Sequence, residues 1–79
     1  MPTVLRIGSF RFHFYSDEGD EPAHTHVRTN DGECKFWLVP SILLAHNRGV
    51  RAVDLRRIEQ LVFENRELLT NAFNDYHRR

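Results

Sequence analysis

The chain has 79 residues, 41% of them hydrophobic. That length is expected to make one small domain with a modest core, and the hydrophobic content excludes a disordered tail. Eleven basic and eleven acidic side chains give a formal net charge of zero, which argues against strong non-specific attraction to nucleic acid but leaves room for a local basic patch.

The first half reads as strands. Residues 3–7, 10–15, 24–29 and 33–39 alternate or are rich in β-formers. Gly8-Ser9 is a two-residue turn, and Asp31-Gly32 signals a type I′ hairpin. The connection from Ser16 to Ala23 is acidic, with Asp17, Glu18, Asp20 and Glu21. It is simplest as a solvated loop, or it shields the basic face, or it lends a carboxylate to nearby histidines. Cys34, the single cysteine, lies in an apolar alternation and reads as a buried, inert thiol in a reducing compartment. One cysteine rules out an internal disulfide framework. Pro40-Ser41 ends the fourth strand, Ile42 to His46 form a short fifth, and Asn47-Arg48-Gly49 turn the chain.

The remainder is helical. Asp54 is a suitable N-cap, and Leu55, Ile58, Val62, Leu69, Ala72 and Tyr76 recur at helical spacing, broadened by Leu61, Leu68 and Phe73. One helix over residues 54–77 is expected, with Asn65 the place for a kink. The basic end Tyr76-His77-Arg78-Arg79 suits a helix C-terminus. The expected architecture is α+β: an antiparallel meander of four or five strands over residues 3–46, its apolar face covered by the helix, in a single domain spanning 1–79. No stretch nears the roughly 20 apolar residues of a membrane span, and no apolar leader follows Met1. A soluble, cytoplasmic protein with no membrane contact is expected.

The turns set registers. Gly8-Ser9 opposes Ile7 to Phe10, Arg6 to Arg11, Leu5 to Phe12 and Val4 to His13. Asp31-Gly32 opposes Arg28 to Lys35, Val27 to Phe36 and His26 to Trp37. In the middle pair the in-phase choice sets His13 beside His26 and Phe12 beside Val27. One face then holds Leu5, Ile7, Phe10, Phe12, Phe14, Val27, Cys34, Phe36 and Leu38, the core. The other holds a row of four cations, Arg6, Arg11, Arg28 and Lys35, next to Val4, His13, His26 and Trp37, with Tyr15 and His24 adjoining. Like charges directly opposed are unfavourable, so an anionic partner is expected to offset them.

In Glu21-Pro22-Ala23-His24-Thr25-His26-Val27 the two histidines alternate along a strand and share a face. Three chemistries fit. They could bind a divalent metal such as zinc, with His13 as third ligand and Glu21 or Glu33 completing the set. They could exchange protons, and with Arg11 or Arg28 holding a phosphate they would make a metal-free ribonuclease. Or they are hydrogen-bonding groups of a binding face on which Tyr15 and Trp37 stack on bases and the cations meet phosphates. A solvated outer sheet face accounts for the same residue types without function. No phosphate-binding glycine loop, serine nucleophile motif or dinucleotide fingerprint is present.

Met1-Pro2-Thr3-Val4-Leu5, Tyr15-Ser16, the E-P-x-H-x-H-V stretch and Lys35-Phe36-Trp37-Leu38 followed by Pro40 resemble a family of small bacterial proteins known as a domain of unknown function. Its pattern is roughly E-P-P-H-V-H-V, then G-E-A-K-F-W-L-x-P. The resemblance continues through Leu44-Ala45, Asn47, Gly49, Glu64 and Asn65. Ala23 stands where a second proline is usual, and Phe73 where tryptophan is frequent. The resemblance implies a partner encoded by an adjacent gene and a toxin–antitoxin-like module, and it singles out His24, His26, Lys35 and Trp37. It does not supply a reaction, a substrate or a metal.

The expectation is therefore binding of a partner protein, RNA or another anionic ligand through Arg6, Arg11, Tyr15, His24, His26, Arg28, Lys35 and Trp37, without a cofactor. The alternative is a small nuclease using His13, His24 and His26. Homodimerisation through an uncovered sheet edge stays open.

Overall fold

The computed structural model describes residues 3–78. Met1, Pro2 and Arg79, which belong to the motif and the basic end quoted above, lie outside these. Five strands pair in chain order as an antiparallel meander: β1 (Thr3–Ile7), β2 (Phe10–His13), β3 (His24–Arg28), β4 (Glu33–Trp37) and β5 (Leu43–Arg48). Two helices follow, α1 (Ala52–Glu64) and α2 (Arg66–His77). Among the described residues no helix is long and apolar enough to cross a membrane.

The β1–β2 turn works because Gly8 takes φ +59°, while no other described residue of the turn has positive φ. That is the II′ pattern, whose twist matches the strands it joins. It opposes Ile7 to Phe10, Arg6 to Arg11 and Leu5 to Phe12, as expected. Beyond Leu5 the register shifts, so Thr3, not Val4, faces His13. The middle pair follows the in-phase register, with Phe12 opposite Val27 and His13 opposite His26.

The β3–β4 hairpin differs from the expected one. The Thr29 N–H donates to the Gly32 carbonyl at 2.8 Å, which makes Asn30-Asp31 the centre of the turn. The Thr29 hydroxyl accepts the N–H groups of Asp31 and Gly32, each at 3.1 Å. This local capping by threonine outweighs the Asp-Gly signal. The partners on β4 therefore move by two residues: Arg28 faces Glu33, Val27 faces Cys34, His26 faces Lys35 and His24 faces Trp37. A two-residue slip keeps every side chain on its face.

The helical part is two helices, not one. Asn65 has φ −112° and ψ 20°, outside the helical region. Its side-chain amide donates to the Leu61 carbonyl at 2.8 Å, the same oxygen that its backbone N–H reaches at 3.0 Å. Helix α1 begins at Ala52 with Arg51 as N-cap, so Asp54 sits in the first turn and pairs with Arg51 at 3.6 Å rather than capping.

The core forms where α1 lies on β4 and α2 on β3. Phe12, Phe14, Val27, Cys34, Phe36 and Leu38 from the sheet meet Ile58, Leu61, Val62, Leu69 and Phe73 from the helices, all buried. Leu5, Ile7 and Phe10, near the β1 edge, are only partly buried. The break resets the helical phase: Leu68 and Tyr76, assigned to the apolar stripe, are exposed.

Candidate functional site

The polar face of β3 is not open. The chain from Phe14 to Ala23 folds back over it through two turns, with the Glu18 N–H bonded to the Tyr15 carbonyl and the Glu21 N–H to the Glu18 carbonyl. His13 and His24 have no solvent exposure and His26 has 8%. The expectation of an exposed histidine face is corrected accordingly: the acidic loop covers the histidines and supplies their carboxylate.

That carboxylate is Glu18. Its Oε1 lies 2.9 Å from His24 Nε2 and 2.6 Å from His26 Nε2. On the far side of each ring stands an acceptor: the Pro22 carbonyl 2.9 Å from His24 Nδ1, and Glu33 Oε2 3.4 Å from His26 Nδ1. Burial pushes the Glu18 carboxyl up, but the His26 and His24 nitrogens beside it outweigh that and hold it below its usual range. Glu33 is a second hub. It accepts the Tyr15 hydroxyl at 2.7 Å and Arg28 Nη2 at 2.8 Å, and the bond to Glu33 raises the Tyr15 pKa.

The other named residues divide into two groups. His13 stacks on His26 with ring centroids 5.6 Å apart. Neither of its nitrogens has a hydrogen-bond partner among the described residues, and it stands outside the Glu18, His24 and His26 cluster. Lys35 pairs with Glu21 at 2.5 Å and lies over the Trp37 ring at 4.4 Å. His24 meets the same indole edge-on, so Trp37 is engaged within the protein.

The cation row survives with a changed member. Arg6 faces Arg11 and Arg11 faces Arg28; Arg28 then faces Glu33, and Glu33 faces Arg48 of β5. Lys35 belongs to the next row, beside His26 and His46. Arg11 Nε is buried without a hydrogen-bond partner among the described residues. A small pocket of about 160 Å³ adjoins Arg6, Arg11 and Arg28 with Ser9 and Thr29. A larger cleft of about 470 Å³ has Glu18, His26, Lys35, His46 and Arg48 in its wall.

Glu18 and Arg48 were the residues that sequence reasoning missed. The one signal for Glu18 was an acidic loop beside an H-x-H strand. For Arg48 it is the fifth strand, expected over residues 42–46 and observed over Leu43–Arg48.

Fold and site together define a small α+β domain: a meander sheet with helices on one face and a histidine–carboxylate cluster under a loop on the other. The chain belongs to the family described as Domain of unknown function (DUF4160), whose model matches residues 9–74. No curated protein and no solved structure matches it significantly.

Proposed function

We propose that this domain binds single-stranded RNA along the arginine row, as one component of a two-gene, toxin–antitoxin-like regulatory module. The observation that carries the RNA reading is the alignment of Arg6, Arg11, Arg28 and Arg48 across the sheet with one carboxylate, Glu33, among them. Strands are about 4.8 Å apart, so a row from β1 to β5 spans roughly 19 Å. That length suits a ligand whose charge repeats along it, as in a nucleic-acid backbone, better than a single carboxylate. Arginine is also the side chain whose planar fork matches phosphate. The two-gene role rests on the family resemblance. A partner protein has a separate surface available in β5, an edge strand on which Leu43 and Leu44 are 58% and 46% exposed.

The test is fluorescence anisotropy with a labelled single-stranded RNA across a salt series. Engagement of four phosphates at roughly 0.7 counterion each gives a slope of log affinity against log salt of about −3. Affinity that does not change with salt would overturn the proposal. Shortening of the RNA during the assay would favour the nuclease alternative.

A further inference from the structure

We propose that Glu18, His24 and His26 form a divalent-cation site of the zinc type, with its fourth position open to the cleft. The inference is independent of the arginine row and would stand if RNA binding failed.

The hydrogen-bonding geometry points there. A carbonyl oxygen only accepts, so His24 Nδ1, 2.9 Å from the Pro22 carbonyl, carries a proton. In neutral His24 the lone pair is then on Nε2, which faces Glu18 Oε1 at 2.9 Å. His26 Nε2 faces the same Glu18 oxygen at 2.6 Å; its Nδ1 stands 3.4 Å from a Glu33 oxygen, an ion-pair distance and not a hydrogen bond. Two imidazole nitrogens and a carboxylate oxygen thus converge, and the ligand atoms of all three residues lie within 4.8 Å of one another. Without a metal, one Glu18 oxygen must accept ring N–H groups from both histidines, and the contacts of fully buried His24 to Pro22 and Glu18 need a proton on each of its nitrogens. Crowding two ring N–H groups, one from a ring that needs both its protons, onto one buried oxygen is costly. A dication there would be bound by all three atoms at once, each histidine keeping its proton on Nδ1.

The surroundings fit. A metal-bound histidine commonly donates its other ring N–H to a carbonyl or carboxylate; Pro22 provides this for His24, and a Glu33 oxygen stands 3.4 Å from His26 Nδ1. A nitrogen, nitrogen, oxygen set suits zinc, and three protein ligands leave a fourth place for water. Tetrahedral ligands on zinc are about 3.3 Å apart, so Glu18 Oε1, now 2.9 and 2.6 Å from the two nitrogens, would draw back by about 0.4 and 0.7 Å. Glu18 and His26 stand in the wall of the 470 Å³ cleft, which gives the fourth position an outlet. His13, stacked behind His26, is not a ligand.

The test uses untagged, chelator-treated protein titrated with zinc and with cobalt(II). Expected are one equivalent bound, the visible absorption of cobalt in a low-coordinate site, and a higher Tm with zinc. Glu18→Gln and His26→Asn, shown folded by circular dichroism, should each weaken binding at least about tenfold, and Glu33→Gln by roughly tenfold. His13→Phe should bind as the wild type does. Absence of saturable binding would overturn the site, as would unchanged affinity in Glu18→Gln and His26→Asn. Loss of the metal in a folded His13→Phe variant would overturn this choice of ligands.

Discussion

His13 is the residue whose environment contrasts most with its chemistry. It has no solvent exposure, and no hydrogen-bond partner among the described residues reaches either ring nitrogen. Burial lowers its pKa to about 4; the Glu33 carboxylate opposes this, and His26, Arg11 and Arg28 reinforce it. Its pKa is thus depressed in the folded state and ordinary, near 6.5, in the unfolded chain. The unfolded state binds a proton first as pH falls. Stability from neutral His13 is therefore full above pH 6.5 and declines between about 6.5 and 4. The ceiling of that loss is on the order of 3 kcal/mol. Chelator-treated wild type should accordingly lose stability through this window in urea titrations, while His13→Phe, which needs no partner for its ring, should show a flatter profile with equal or higher stability at neutral pH. A wild-type-like decline in the variant would assign the acid sensitivity to another group. Cys34 was the legible case at this scale: its place in the alternation implied burial, and the thiol is buried with its pKa pushed up to about 12 by desolvation. Glu18 was not legible, because a loop has no periodicity from which to infer where a side chain turns.

The elements show which sequence signals dominate when several compete. Alternation placed nearly all strand residues on their correct faces, since a face depends only on parity. Register depends on one turn, and there the Thr29 hydroxyl outweighed Asp31-Gly32 and moved the β4 partners by two residues. Helical periodicity likewise placed Ile58, Val62 and Leu69 in the core but could not carry its phase across Asn65, whose side chain takes the Leu61 carbonyl. Gly32 now has a definite reason to be glycine. The β3–β4 turn lies against the end of β5 so closely that a Cβ on Gly32 would collide with the Arg48 carbonyl and the backbone of Gly49. Neither contact is a flexible side chain that could swing away. Gly32→Ala is therefore expected to cost about 1–3 kcal/mol, the range for forced overpacking, read as a lower urea midpoint at unchanged m. It should also displace Arg48 from the cation row and weaken RNA binding. An alanine variant of full stability would mean that the hairpin can lift away from β5 at little cost.

For the molecule as a whole, zero net charge conceals an uneven distribution. Acids gather in the loop over β3, where Glu18 meets the histidines and Glu21 meets Lys35, while guanidinium groups gather in the row from Arg6 to Arg48. Within that row Arg28 has an ion-pair partner in Glu33; Arg6, Arg11 and Arg48 have none among the described residues. Arg11 is the most constrained, with an arginine directly opposite on each neighbouring strand and a buried Nε without a partner. Folding alone would favour its replacement, because like charges opposed across strands destabilise a sheet and a buried unpaired donor costs more still. A bound polyanion would reverse the balance, since its phosphates would neutralise the row and fill the donors. Arg11→Gln should therefore raise stability by about 0.2–1 kcal/mol in urea denaturation. The same change should weaken RNA binding for all sequences alike and make the salt slope shallower by about one phosphate. The paired measurement separates a binding row from a packing one. If Arg11 serves only by laying its aliphatic stem along the sheet, Arg11→Gln would lower stability and leave RNA affinity unchanged. If the row exists to hold a polyanion, stability and affinity must move in opposite directions.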